Sequence, residues 1–321
     1  ERCRAEEAVE LAKLVRVPID LLSEMNKFFP KAEFSEAIEK CMPLLYLRTG
    51  QNTIFNDNLL TKKKDYYRAN DVQPSYNLQI SAAGSPAFAD WGEAPDINHF
   101  YGRSRELATL KPWVAQDGCR AIGIFGMSGI GKTMLATKTA HELAPHFAAI
   151  CWRSLHNAPP LGDFLGDCLT GLSTLGEADL PPTVERRQVL LMQMLRQTKC
   201  ILVIDNYETI MEGSNSTGRY RLGYENYAQF LHRMTETAHK SCIFLISQEK
   251  PIEFASMEGD GLPVRSLTLD GLMAEDAQQL LSSKRLLGTE QVWVQFCMHY
   301  SGNPLALKLA ADTIHELFTG D

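Results

Sequence analysis

Four five-residue runs, AIGIF (121–125), AAICW (148–152), CILVI (200–204) and CIFLI (242–246), hold almost nothing but apolar side chains. A strand that is apolar at every position must be covered on both faces, which points to a parallel sheet with helices on each side. A fifth run, VRSLTL (264–269), has a similar length. Between the runs lie segments with apolar residues at helical spacing: TMLATKTAHEL, VERRQVLLMQMLRQ and YENYAQFLHRMTETA. This alternation predicts an α/β fold of three layers. The last fifty residues lack a strand-like run, and EDAQQLLSSKRLL, EQVWVQFCMHY and NPLALKLAADTIHELF predict a small helical subdomain.

The chain of 321 residues is 45% hydrophobic and long enough for two or three domains. Helical spacing in EEAVELAKLV and FSEAIEKCMPLLYL, followed by a polar stretch, predicts a mainly helical N-terminal domain over residues 1–80. SAAGSPAFADWGEAPD is small, rich in Pro and Gly and without periodicity, so residues 81–95 read as a linker. The sheet domain then covers 96–268 and the helical subdomain 269–321. ERCRAEEAVE is too charged for a signal peptide and has no starting Met, and the chain stops at Asp321 directly after a helical pattern. The expectation is a piece of a longer protein.

Composition narrows the function classes. The net charge of −7 sets up no basic field to draw in nucleic acid. TKKKDYYR (61–68) is a possible nucleic-acid contact, but residues 1–90 carry 12 Lys and Arg against 13 Asp and Glu, a local net of −1. A solvated charged face is the plainer reading. No apolar stretch approaches the roughly 20 residues that a membrane helix needs. The eight cysteines show no CxxC pair or zinc-type spacing, which fits a reduced cytoplasmic protein. The eight histidines are scattered, none has a second histidine or a cysteine at i+4, and no Ser/His/Asp or Cys/His constellation is discernible.

The run AIGIF leads into GMSGIGKTML, in which Gly126, Gly131, Lys132 and Thr133 complete G-x-x-x-x-G-K-T between a strand and a helix. Glycines let successive backbone N–H groups face an anion, and the helix N-terminus adds its dipole. Lys132 is expected to reach the β- and γ-phosphates and Thr133 to offer its hydroxyl to Mg²⁺. The backbone of Ser128, Gly129, Ile130 and Met134 belongs to the same cradle. CILVI ends on Asp205, which sets a carboxylate at the edge of the sheet where ligands bind, so Asp205 is the second expected Mg²⁺ residue. Asn206 follows it and cannot accept a proton. Glu208 is the nearest carboxylate, either leaning back towards the phosphate as a base or lying solvated on a loop. In GRYRLGYENY (218–227), Arg219 and Arg221 are surface-loop residues by default, with an arginine finger as the other possibility.

Several stretches together resemble the NB-ARC domain of STAND-class P-loop signalling ATPases. FYGRSREL (100–107) is similar to that family's opening motif, GMSGIGKT and ILVIDNYE to its two phosphate-site motifs, ICWRSL (150–155) to its second-strand motif, and SGNPLALKLAA (301–311) to its Gly-x-Pro-Leu motif. The run from DWGEAPD to RELATL is similar to bacterial NB-ARC proteins with WD repeats. The resemblance covers residues 90–321 and leaves 1–80 outside it. It implies a P-loop NTPase sheet with a C-terminal helical subdomain, and an ADP/ATP switch that uses Mg²⁺ and self-associates in the ATP state. Slow hydrolysis of ATP is expected with it. It implies further that Phe100, Tyr101 and Arg103 line the adenine pocket and that Pro304 closes over the base or ribose. By its own chemistry Asn303-Pro304 is also simply a good helix start.

Two features depart from the family. Its fourth strand usually ends in an arginine that senses the γ-phosphate, whereas FLISQEK supplies Gln248, a neutral donor roughly half as strong as a charged one. Lys250 and Arg265 are the nearby cations that could take its place. The winged-helix segment expected after the helical subdomain is not in this sequence. Two other readings stay open: a nucleotide-bound scaffold that hardly hydrolyses, and a P-loop kinase acting on a small molecule. Protein partners through residues 1–80 are expected but of unknown kind.

Overall fold

The computed structural model describes residue 86 and residues 88–213, 218–284, 286 and 288–318. The N-terminal domain expected over 1–80, with its TKKKDYYR segment, lies outside the described residues.

Six parallel strands form one sheet in the order β1-β3-β4-β5-β2-β6. They are β1 (Phe88–Asp90), β2 (Ala121–Phe125), β3 (Ala149–Ser154), β4 (Cys200–Asp205), β5 (Cys242–Ser247) and β6 (Val264–Thr268). The four apolar runs and VRSLTL account for β2 to β6. Alternate residues of each inner strand enter opposite cores, as a pleat covered on both sides requires. In β4, Leu202 and Ile204 enter the core beneath α3 (Leu161–Gly171), α4 (Val184–Gln197) and α5 (Glu225–Glu236). Ile201 and Val203 enter the core beneath α1 (Ser104–Ala115) and α2 (Lys132–Leu143). This is the three-layer α/β architecture that the apolar runs predict.

After the short helix α6 (Ile252–Met257) and β6, helices α7 (Ala274–Ser283), α8 (Glu290–His299) and α9 (Pro304–Phe318) close a third core around Leu280, Leu281, Trp293 and Leu307. No described helix is long and apolar enough to cross a membrane.

The stretch read as linker contains the edge strand β1, paired with β3 from Phe88↔Ala149 to Asp90↔Cys151. Arg153 of β3 donates to the Asp90 carboxylate at 2.6 Å and so fixes that edge. Trp91 then stacks on His141 of α2, with ring centroids 3.8 Å apart and planes 4° from parallel. Because all strands are parallel, their carboxyl ends share one edge. There β5 lies between β2 and β4, so the loops after these three strands are neighbours.

Candidate phosphate site

The loop from Gly126 to Gly131 joins β2 to α2. Gly126, Gly129 and Gly131 have φ of 145°, 73° and 100°, values that side-chain-bearing residues rarely adopt. Such a loop can turn its N–H groups towards an anion, and it ends on the N-terminus of a twelve-residue helix, whose dipole favours one. Gly129 is also required sterically, since a Cβ there would lie 2.7 Å from Cβ of Leu305.

Lys132 is the first residue of α2 and is buried, with its ammonium donating to the carbonyls of Gly126 at 2.8 Å and Met127 at 2.9 Å. Burial pulls its pKa below the usual lysine value, while the charges of Glu208 and Asp205 oppose the shift. Thr133 donates its hydroxyl to the Asp205 carboxylate at 3.3 Å. Asp205, 5% exposed, is pushed up to about 6 by burial, against N–H donation from Asn206 and the hydroxyl of Thr133; the charge of Glu208 raises it further and that of Lys132 opposes. Two oxygen donors thus stand together beside an anion cradle, which fits a hard divalent cation. Among the described residues no cluster of three or more His, Cys, Asp or Glu offers a separate metal site.

Asn206 has a left-handed backbone, φ 56°, and its side chain donates to Ser154 Oγ at 3.0 Å, so it is engaged with the neighbouring strand end. Glu208, in the single turn Tyr207–Ile210, accepts from Gln248 twice: from its backbone N–H at 3.2 Å and from its side-chain amide at 3.0 Å. The two cations weighed as substitutes for a sensing arginine are already occupied. Lys250 donates to Glu258 at 2.6 Å and Ser266 at 2.8 Å, and Arg265 pairs with Asp117 at 2.6 Å.

Residues tied to the base pocket by resemblance fall on both sides of the site. Phe100 packs on the core beneath α1 and α2, whereas Tyr101 packs on the helical-subdomain core. Arg103 is buried and donates to Glu106 at 2.8 Å and to the carbonyl of Ile130 at 2.9 Å, bracing the loop from behind. Pro304 opens α9 near Gly131, where an added Cβ would lie 4.0 Å from Pro304 Cγ. Sequence reasoning missed the seat beside it. Asn303 donates from Nδ2 to the Ser128 carbonyl at 2.9 Å, and the N–H of Leu305 approaches the Gly129 carbonyl at 3.3 Å. Only the helix-start signal of Asn303 could have drawn attention to it.

Comparison with known proteins agrees with this geometry. Residues 104–210 match the NB-ARC domain family model. A WD repeat-containing protein of Nostoc sp. is 44% identical over 250 residues, which is 74% of this chain and 20% of the relative. The chain therefore spans about a fifth of that relative's length. A solved STAND (Signal Transduction ATPase with Numerous Domains) protein with a tetratricopeptide repeat sensor, from Pyrococcus horikoshii, superposes with a TM-score of 0.51 at 21% identity. That match covers 67% of this chain and 30% of the other, and it shows the shared fold.

Proposed function

We propose that the chain is an ADP/ATP switch for signal transduction, a reading supported by the P-loop sheet and by the match of residues 104–210 to the NB-ARC domain family model. The observation that carries the reading is the seat of α9 on the phosphate loop: Asn303 on Ser128 and Leu305 on Gly129. In this reading a ligand in the loop acts on the contact that holds the helical subdomain, because both are made by the same few residues. In this reading ADP favours a closed monomer, and ATP favours an open state that assembles with copies of itself. A ligand shifts such an equilibrium only through its different affinity for the two states, and reversing a 1:99 ratio takes about 5.5 kcal/mol of difference.

The loop N–H groups and the Lys132 ammonium hold the phosphates, and Thr133 and Asp205 hold Mg²⁺. Bound there, Mg²⁺ neutralises charge on the phosphate oxygens. Turnover in this reading is slow. The water oxygen bonds to the γ-phosphorus, the bond to ADP breaks, and the water proton goes to Glu208, because Asn206 is neutral and turned to Ser154. The six described cysteines are all buried free thiols, which suits a reducing cytoplasm.

Asn206 also favours a second reading, a nucleotide-bound scaffold without turnover. Denaturing the purified protein and identifying the released nucleotide by chromatography separates the two. Stoichiometric ADP is the result expected of the switch, intact ATP that of the scaffold, and an empty site counts against both. Turnover no faster than that of Lys132→Ala sinks the hydrolytic part of the reading.

A further inference from the structure

Parallel pairing of β4 with β5 runs up to Ile204↔Leu245, so the segments that follow, Asp205–Glu208 and Ser247–Gln248, emerge side by side. Gln248 uses both of its nitrogen donors on one carboxylate, its backbone N–H on Oε2 of Glu208 and its side-chain amide on Oε1. Glu208 is in turn close enough for its charge to act on Lys132 and Asp205. The position where a charged phosphate sensor is expected thus carries a neutral side chain whose donor is committed to the nearest acid.

We propose that Gln248 is a positioning residue for Glu208, and that it governs turnover through that carboxylate and not through a contact with the γ-phosphate. A two-point grip fixes both oxygens of a carboxylate on a short turn, where a free glutamate has three rotatable bonds to sample. An amide is the side chain suited to this task. An arginine here would pair with Glu208 as a cation and compete for the phosphate, and a leucine would leave the acid without its side-chain donor.

The inference rests on the hydrolytic reading above, and two measurements on the full chain keep their failures apart. Single-turnover cleavage of ATP is compared among wild type, Gln248→Leu, Glu208→Gln and the double variant. Affinities for a non-hydrolysable ATP analogue and for ADP are measured for the same four proteins. Losing a general base costs on the order of a hundredfold. We expect Glu208→Gln to slow cleavage by about that factor, Gln248→Leu to slow it at least fivefold, and the double variant to be no slower than Glu208→Gln alone. The ratio of ATP-analogue to ADP affinity is expected to stay within twofold in Gln248→Leu. Multiplicative losses in the double variant, or a fivefold fall in that ratio, would show Gln248 acting on phosphate and overturn the proposal. Should wild type cleave no faster than Lys132→Ala, the hydrolytic reading fails and the turnover role of Gln248 falls with it, and the affinity ratio then reads only whether Gln248 touches phosphate. Gln248 is exposed, so the leucine variant leaves the core intact.

Discussion

Asn303 holds two places at once. Its Nδ2 donates to the Ser128 carbonyl at 2.9 Å, while its Oδ1 accepts from the backbone N–H groups of Leu305 at 3.1 Å and Ala306 at 3.2 Å. The same side chain caps α9 and fastens that helix to the phosphate loop. An N-cap removed to alanine costs about 1 kcal/mol. Asn303→Ala is therefore expected to lower stability by about that amount in denaturant unfolding. It is also expected to speed amide hydrogen exchange at the start of α9 more than in β4. Unchanged exchange at Leu305 and Ala306 would contradict the double role.

Lys132 gives a second test, because its ammonium binds two loop carbonyls and also faces the phosphate cradle. A ligand at one hundred times its Kd stabilises the native state by about 2.7 kcal/mol. Wild type is expected to melt at higher temperature in Mg·ATP or Mg·ADP, and Lys132→Ala to show no such rise in a thermal-shift assay. A variant that keeps the full rise would remove the lysine from the nucleotide site.

Much of this was legible in the sequence, and the reasons differ from element to element. Strands β2 to β5 showed because a strand covered on both faces is apolar almost throughout, whereas β6, half-buried and carrying Arg265, Ser266 and Thr268, showed by its length and place alone. The cradle showed because its chemistry is local: Gly126 to Thr133 are consecutive and sit between a strand and a helix. Helix α3 did not show, since LGDFLGDCLTG carries three glycines that lower its helical propensity. At Gly166 a Cβ would be a tight fit, 3.2 Å from the Arg187 guanidinium on α4 and from a Leu180 methyl. Strand β1 is three residues long and exists through its pairing with β3 and the reach of Arg153 to Asp90, 63 residues away. The grip of Gln248 on Glu208 spans 40 residues and that of Asn303 on Ser128 spans 175. Both depend on which strand ends and helix starts become neighbours, and no local pattern encodes that.

Gly129 separates loop geometry from loop chemistry. Its φ is 73°, and an added Cβ would meet Cβ of Leu305 at 2.7 Å and Oδ1 of Asn303 at 3.1 Å. Alanine at an incompatible positive φ destabilises by more than about 1 kcal/mol. Gly129→Ala is expected to exceed that figure in denaturant unfolding. It should also weaken nucleotide binding at least tenfold, measured with a fluorescent ADP analogue, although no phosphate-binding side chain has changed. Wild-type affinity in this variant would mean that α9 can shift without disturbing the loop.

Asp205 links the site to pH. Its folded pKa, about 6, lies above the ordinary aspartate value near 4, so between these values the folded chain binds more protons than the unfolded one. Without ligand, stability from this group is then lost as pH rises from about 4 to 6, and above pH 6 the buried charge costs on the order of 2 to 3 kcal/mol. In the proposed site Mg²⁺ takes the ionised form, so binding of Mg·ATP is expected to run the other way and to strengthen as pH rises through 6. Asp205→Asn keeps the shape and removes the charge. At pH 7.5 it is expected to melt above wild type without nucleotide, to lose the stability change between pH 4 and 6, and to forfeit the Mg²⁺-dependent part of its ATP affinity. Calorimetric melts across that pH range, with and without Mg·ATP, check all three. A variant less stable than wild type at pH 7.5 would show that the carboxylate's bonds to Thr133 and the Asn206 N–H outweigh its burial.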